Sequence, residues 1–241
     1  MKQDDLAAQV VNSYEIIAER HLSKALEGVY NNFYERPAMR SLLGNVRGKK
    51  VLDAGCGHGS NAEWLIAQDA AVMAIDSSPR LVQLARQRFS DSIEVRQADL
   101  NLPLSFLETD SFDIVLCSLV LDYIRDWEIL FKEFHRILTR PGRFVFSVHH
   151  PFFLDLKVDA KIEDSYFSIE QVEEDWLPFG LKIPAYRRPL EAMVSALWNA
   201  GFLLEQIVEP KPTEACQQAY PKHYERLSKH PVFICFCAIK E

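Results

Sequence analysis

The chain has 241 residues, of which 48% are hydrophobic and 25% charged, so it is long enough and apolar enough to fold around one sizeable core. It contains only 9 glycines and 12 prolines, a content that excludes collagen-like, low-complexity and wholly disordered chains. The 34 acidic residues outnumber the 27 basic ones and give a net charge of −7, which disfavours nucleic acids and anionic membranes as partners.

Cysteine usage and the N-terminal residues predict a cytoplasmic protein. The cysteines are odd in number and form no Cys-x-x-Cys pair: Cys56, Cys117, Cys216, Cys235 and Cys237. We expect reduced, buried thiols rather than disulfides or a zinc site. Residues 1–5 lead into a polar stretch without the apolar segment of a signal peptide, and the longest apolar run, 114–121, is too short to span a bilayer.

Residues 4–43 are predicted to form several short helices. Apolar side chains recur at helical spacing over 11–18 and again over 22–29. Pro37 is placed to begin a further helix, and Gly44 to end it.

Strands and helices then alternate along the chain. The predicted strands are short and apolar: 50–54, 71–75, 92–96, 112–118 and 143–148. The predicted helices between them are 62–67, 79–89 and 126–139, the last ended by Pro141-Gly142. Three tryptophans are expected in the core: Trp64, Trp127 and Trp198. The alternation predicts a doubly wound, Rossmann-like α/β sheet with right-handed crossovers.

The pattern changes in the last third of the chain. Residues 151–189 carry acidic residues, aromatics and prolines without a regular period. A helix is predicted at 190–200, followed by strands at 202–208 and 232–239. A long polar connection without a helix joins these two strands. An antiparallel pairing of these two strands at the sheet edge is therefore expected.

A glycine-rich loop, Gly55–Gly59, links the first strand of the alternating region to a helix. Glycines let a ligand approach the backbone closely, and a helix N-terminus offers free N–H groups. The spacing is not that of a dinucleotide-binding loop, because Ser60 stands where the third glycine of Gly-x-Gly-x-x-Gly belongs. The Gly-Lys-Ser/Thr ending of a phosphate-binding loop is missing as well.

Three aspartates lie where strands end. Asp53 is next to the loop, where a carboxylate repels a diphosphate and suits a ligand that carries an ammonium group. Asp76 ends the second strand, where a carboxylate accepts hydrogen bonds from ribose hydroxyls. Asp99 follows the third strand and is placed to accept a hydrogen bond from an adenine amino group. Roles as ordinary helix-cap or turn residues stay open for all three.

Five segments in order resemble the motifs of class I S-adenosylmethionine-dependent methyltransferases: Leu52–Gly59, Ala74–Ser78, Gln97–Leu100, Ser111–Val115 and Leu138–Phe144. The pattern is most similar to the small-molecule branch grouped with the ubiquinone-biosynthesis methyltransferases. The resemblance covers roughly 48–150 together with the final helix and two strands. It implies seven strands, mostly parallel, with an antiparallel last strand.

The resemblance further implies S-adenosylmethionine as methyl donor, S-adenosylhomocysteine as product, and a role for each matching residue. It places Asp53, Gly55, Cys56, Gly57 and Gly59 around the methionine part, Asp76, Ser77, Ala98, Asp99 and Leu100 around ribose and adenine, and Cys117, Ser118 and Leu119 around the methyl group.

The methyl acceptor is expected at the carboxyl ends of the strands. The candidate catalytic side chains there are Tyr123, His149 and His150. The two histidines alternate in direction, and we expect His149 to be the base because Pro151 restricts His150. Structural roles for both histidines stay open. The candidate substrate or lid residues are Tyr14, Tyr30, Tyr34 and Arg36, and no metal site is predicted.

Together these features predict one methyltransferase domain acting on a small molecule. Its parts would be a helical lid (1–47), a cofactor-binding core (48–150), a substrate-side insertion (151–189) and a final helix with two strands (190–241). The alternatives at this point are a nicotinamide oxidoreductase, a methyltransferase of a protein or other macromolecule, and a non-catalytic protein that binds adenosine ligands. Neither the acceptor atom nor the oligomeric state can be read from the sequence.

Overall fold

The computed structural model describes residues 6–16, 18, 28–152, 166–176 and 180–241. Its strands, in chain order, are β1 (Lys50–Ala54), β2 (Ala71–Asp76), β3 (Glu94–Gln97), β4 (Phe112–Ser118), β5 (Leu138–His149), β6 (Glu170–Trp176), β7 (Leu181–Arg187), β8 (Leu203–Val208) and β9 (Phe233–Lys240).

The described helices begin with α1 (6–16) and a π-helical segment (Asn31–Glu35) that runs into α2. The others are α2 (Arg36–Leu43), α3 (Ser60–Ala67), α4 (Pro79–Phe89), α5 (Trp127–Ile137), α6 (Leu190–Asn199), α7 (Glu214–Ala219) and α8 (Pro221–Leu227). As predicted, Pro37 lies in the first turn of α2, and Gly44 ends that helix in a positive-φ conformation.

Seven of the described strands form one sheet in the order β3-β2-β1-β4-β5-β9-β8. The strands from β3 to β5 pair in parallel, and β9 pairs antiparallel with both β5 and β8. The predicted Rossmann-like sheet and its antiparallel last strand are therefore confirmed. The predicted antiparallel pairing of the last two strands at the sheet edge is confirmed as well. β8 is the edge strand and is largely exposed, whereas β9 lies between β5 and β8 and is almost entirely buried.

An aromatic core fixes the helices onto this sheet. The rings of Phe144 and Phe146 on β5 stack at 4.7 Å, and Phe146 stacks on Phe236 of β9 at the same distance. Phe131 of α5 meets Phe144 edge-on at 4.9 Å. Packing of this kind holds the strand ends, and the loops that follow them, in place.

The predicted boundary between α5 and β5 is wrong. The helix ends at Ile137, and β5 already begins at Leu138, so Pro141-Gly142 lies inside the strand instead of ending the helix. Leu138 pairs with Phe112 of β4 before the register shifts, and this pairing draws the residue out of the helix.

Two further predictions for the last third of the chain are corrected. Residues 151–189 include the antiparallel hairpin β6–β7, and the connection between β8 and β9 contains α7 and α8.

The tryptophans differ in burial. Trp127 is buried and Trp64 packs partly against the core, as predicted, but Trp198 is 72% exposed near the end of α6. The predicted helix over 22–29 lies largely outside the described residues.

The cysteines are all buried and free, as predicted. Within the described ranges, no helix is both long and apolar enough to cross a bilayer.

Candidate functional site

A cavity of about 280 Å³ lies at the carboxyl ends of the parallel strands. The glycine loop after β1 and the segments after β2, β3 and β4 form one side of it. The N-terminal helices form the other, with Ala7, Val10, Val11 and Tyr14 from α1 and with Asn31, Glu35 and Arg36 from the segment that leads into α2. The helices predicted to act as a lid therefore close over the strand ends.

Most of the residues predicted for the site line this cavity: Gly55, Cys56, Gly57, Asp76, Ser77, Ala98, Asp99, Leu100, Ser118, Leu119, Tyr123, His149, Tyr14 and Arg36. The others lie behind its wall or away from it: Asp53, Gly59, Cys117, His150, Tyr30 and Tyr34. Burial raises the pKa of the Cys56 and Cys117 thiols well above the ordinary value, so neither is an activated nucleophile.

The glycines of the loop are required for two different reasons. A Cβ at Gly55 would lie 2.3 Å from Val120, and one at Gly59 would lie 2.2 Å from Phe89, so packing excludes side chains there. Gly57 also has a positive φ, but a Cβ there would meet no atom within 4 Å. Its open side therefore leaves the cavity free for a ligand that approaches the backbone.

Asp76 joins the end of β2 to this loop. The Gly57 N–H donates to Asp76 Oδ2 at 2.8 Å, and the Ser78 N–H donates to Oδ1 at 2.9 Å. Burial raises the pKa of Asp76, and these two hydrogen bonds oppose the rise. Backbone N–H groups of the glycine loop and of the segment after β2 thus hold the carboxylate at the cavity wall.

Asp53 is a buried carboxylate without a hydrogen bond of ordinary geometry among the described residues. Burial and the charge of Asp76 raise its pKa to about 7, whereas the Ala62 N–H at the start of α3 acts in the opposite direction. An unpaired buried carboxylate is unfavourable, and a positive charge on a ligand would stabilise it.

Glu35 is a cavity residue that sequence reasoning did not select. Its side chain is buried, and its Oε1 accepts hydrogen bonds from Ser118 Oγ at 2.7 Å and Ser147 Oγ at 2.6 Å. Burial raises the pKa of Glu35, and the serine hydroxyls oppose the rise. A glutamate beside a helix start is usually solvated, so no local pattern in the sequence indicated that Glu35 is buried.

Asp122 is the second residue that sequence reasoning missed, and it holds His149. Asp122 lies in a single 3-10 turn after β4, is only 3% exposed, and has its Oδ2 2.9 Å from His149 Nδ1. The His149 N–H donates to the same oxygen at 3.1 Å. Behind this pair, the Arg188 guanidinium donates to the carbonyls of Ile124 and Arg125, and its pKa falls to about 10 through burial, with Asp122 acting against the fall.

Tyr123 and Tyr14 meet at the same end of the cavity. The Tyr14 hydroxyl donates to the Tyr123 hydroxyl at 3.2 Å, and their rings pack edge-on at 5.9 Å. This contact brings α1 against the turn that carries Asp122.

Three of the predicted catalytic or lid residues have other surroundings. His150 lies with Nε2 3.0 Å from Glu209 and accepts from the Phe152 N–H through Nδ1, so it supports the chain beyond β5. Tyr34 is fully buried and accepts from the Val232 N–H, and the Tyr30 ring packs edge-on against His223. The structure does not bring these three side chains to the cavity wall.

Glu15 fastens the N-terminal helix to the segment that follows β2. Ser78 Oγ donates to Glu15 Oε1 at 2.5 Å, and the Arg80 N–H donates to the same oxygen at 2.9 Å. A carboxylate at the N-terminus of α4 is favourable in charge as well as in hydrogen bonding.

Comparison with known proteins identifies the chain. The model of a methyltransferase domain family matches residues 52–146. The crystal structure of an S-adenosylmethionine-dependent methyltransferase from Mesorhizobium loti is 32% identical, covers 86% of this chain and 97% of its own, and superposes with a TM-score of 0.75. The chain belongs to the S-adenosylmethionine-dependent methyltransferases. The predicted enzyme class and methyl donor are thereby confirmed.

Two curated relatives of the methyltransferase match it over shorter stretches. The ubiquinone biosynthesis O-methyltransferase of Pseudomonas syringae pv. tomato is 34% identical over 106 residues, which are 43% of this chain and 45% of that protein. The malonyl-[acyl-carrier protein] O-methyltransferase of a Paenibacillus species is 30% identical over 149 residues, which are 58% of this chain and 51% of that protein. The chain spans about half the length of these relatives, so its acceptor has to be inferred from its own cavity.

The residues of the methyltransferase fit S-adenosylmethionine. Gly57 leaves an open cradle beside the backbone, and neither carboxyl oxygen of the buried Asp53 has a hydrogen-bond partner of ordinary geometry among the described residues. Among the described residues, no cluster of three or more metal-ligating side chains occurs.

Proposed function

We propose that this methyltransferase transfers a methyl group to an ionisable hydroxyl or amine of a small molecule, with His149 as the general base. The observation that carries the proposal is His149, which lines the same cavity as the glycine loop and has Asp122 Oδ2 2.9 Å from its Nδ1. A base and a donor-binding loop on the same cavity are what a transfer to a protonated acceptor requires.

The donor would be held by the residues that the family motifs predict. In this proposal Asp53 and the loop with Gly55, Cys56, Gly57 and Gly59 surround the methionine part. Asp76, Ser77, Ala98, Asp99 and Leu100 surround the adenosine, and Cys117, Ser118 and Leu119 lie near the methyl group. When bound, S-adenosylmethionine supplies a methyl carbon that is activated by its sulfonium, so the protein mainly orients the reactants and excludes water.

The covering of the strand ends supports a small acceptor. Four residues of α1 line the cavity opposite the glycine loop, and Glu15 fastens that helix to α4. A cavity of about 280 Å³ beneath these helices favours a metabolite over a folded macromolecule as the acceptor.

Asp122 would determine how His149 acts. A carboxylate accepts hydrogen bonds, so His149 Nδ1 donates to it, and the neutral imidazole then carries its lone pair on Nε2. The imidazole would take the proton of the acceptor as that atom gains the methyl group, and the electrons of the broken carbon–sulfur bond would stay on the sulfur of the departing thioether.

The surroundings of His149 indicate the kind of acceptor. Leu119, Ile124 and Phe233 line the cavity near it, together with the hydrogen-bonded pair Tyr14 and Tyr123. These apolar and aromatic side chains favour a ring or another apolar body that carries the group to be methylated.

Labelled methyl transfer tests this proposal. The full chain is incubated with S-adenosylmethionine carrying a tritiated methyl group and with separate metabolite, protein and RNA fractions. We expect label in the metabolite fraction. With the acceptor purified, His149→Ala should lower turnover roughly 10²- to 10⁴-fold while the affinity for S-adenosylhomocysteine barely changes.

His230→Ala removes an exposed imidazole and is the matched control, with turnover expected at the wild-type level. Label in protein or RNA only would contradict the small-molecule acceptor. Full turnover of His149→Ala would show that the acceptor needs no base.

A further inference from the structure

Glu35 connects three separate parts of the chain at the floor of the cavity. It ends the π-helical segment and reaches Ser118 at the end of β4 and Ser147 near the end of β5, which are register partners in the sheet. Both hydroxyls donate to Oε1. The side chain is 1% exposed and lines the cavity.

The second carboxylate oxygen accepts no hydrogen bond from the residues that the structure describes. Among the described residues, no hydrogen bond is donated to Glu35 Oε2, although the nearby charges of Arg36 and Arg40 favour the ionised carboxylate. A purely structural clamp between two serines needs a single acceptor atom, and burying a full carboxylate for that purpose is costly. The oxygen left over on a cavity wall is therefore available to a ligand.

We propose that Glu35 is a ligand-binding carboxylate that accepts a hydrogen bond from a primary ammonium group of the bound ligand through Oε2. The ammonium group has two possible sources, the methionine part of the methyl donor or an amine on the acceptor. The half-buried Arg36 lines the same wall and suits the carboxylate of an α-amino acid, so we expect the donor to be the source. This inference rests on the proposed function, because it takes the cavity as the methyl-donor site.

Binding of three probes to Glu35→Gln tests the assignment without an acceptor. S-adenosylhomocysteine carries the methionine ammonium group, methylthioadenosine lacks the whole amino-acid part, and sinefungin carries an additional amine at the methyl position. Calorimetry on the full chain should show a roughly 10- to 100-fold loss of affinity for S-adenosylhomocysteine, because a charged hydrogen bond is lost. The affinity for methylthioadenosine should change less than about twofold, and the loss for sinefungin should equal that for S-adenosylhomocysteine.

Glu128→Gln removes an exposed carboxylate of α5 and is the matched control, with no change expected for any probe. If Glu35→Gln does not fold, Glu35→Asp shortens the side chain by one methylene and should show the same selective loss.

A loss for sinefungin well beyond that for S-adenosylhomocysteine would support the ammonium site and place it on the acceptor side. Equal losses for S-adenosylhomocysteine and methylthioadenosine, or no loss at all, would overturn the assignment while the proposed function stands. Failure of the wild-type protein to bind S-adenosylhomocysteine would overturn both.

Discussion

The two sides of the cavity are made from different kinds of group. The side that follows β1 and β2 consists of one loop and its neighbouring strand end, where the Gly57 N–H donates to Asp76. The side that follows β4 and β5 brings together Asp122 and His149, which belong to separate segments of the chain. The first side presents backbone groups and binds the donor in our proposal, whereas the second presents side chains and carries acceptor chemistry. Asp76→Ala on the first side should therefore change binding, whereas Asp122→Asn on the second should change turnover.

The largest expected effect is the pH dependence caused by Asp53 behind the donor side. Its pKa is about 7 in the folded protein against an ordinary value of 3.8, so between about pH 4 and 7 the native state holds a proton that the unfolded state has released. The free energy of unfolding should fall as the pH rises through that window, by up to about 4 kcal/mol from this residue. Denaturant unfolding of Asp53→Asn and wild type at several pH values measures the difference, which should be largest above pH 7. A constant difference across the window would remove Asp53 as the source.

Asp76→Ala should weaken the binding of S-adenosylhomocysteine by roughly 100-fold or more. The Gly57 and Ser78 N–H groups lose their acceptor, and the proposed ribose contacts are lost as well, at about 1.5–3 kcal/mol for each charged hydrogen bond. Calorimetry measures the affinity, and Asp91→Ala, on an exposed turn, is the control. Unchanged affinity would remove Asp76 from the donor site.

Asp122→Asn should act on the opposite side of the cavity. Turnover should fall roughly 10- to 100-fold at unchanged affinity for S-adenosylhomocysteine, because the imidazole of His149 loses the partner that holds its tautomer. Nitrogen-15 spectra of the imidazole should show Nδ1 protonated in the wild-type protein and a mixture of tautomers in the variant. Asp126→Asn removes a helix-capping carboxylate four positions away and is the control. Lost donor binding in Asp122→Asn would contradict the division between the two sides.

The smallest expected effect concerns the helix that bridges both sides. Glu15→Gln weakens the contacts to Ser78 and to the Arg80 N–H, so amides of α1 should exchange several-fold faster, for a loss of about 1 kcal/mol. S-adenosylhomocysteine should slow the exchange of the same amides in the wild-type protein, since a buried ligand enters and leaves past this helix. Hydrogen exchange followed by mass spectrometry measures both, with Glu63→Gln as the control. Equal exchange with and without the ligand would make α1 a fixed part of the scaffold.

The residues of the first side could be predicted from the sequence more completely than those of the second, because the first side is built from short continuous segments. Gly55, Gly57 and Asp76 belong to short segments whose spacing is visible in one stretch of sequence, and the structure places all three at the cavity. His149 was expected to lie there because it follows a strand, yet nothing near it in the sequence indicated Asp122. His150 has the same kind of sequence context, and its contact with Glu209, 59 positions away, takes it elsewhere.

The order of strands, helices and glycine loop was determined by local patterns, because apolar periodicity and turn chemistry act over a few residues. The tertiary structure decided that β9 lies inside the sheet, that Leu138 leaves the helix to pair with β4, and that Trp198 remains exposed. It also decided that Glu35 meets Ser118 and Ser147, which lie 83 and 112 positions along the chain. Such contacts depend on which elements pack together, and the burial that makes a carboxylate chemically unusual exists only once they have done so.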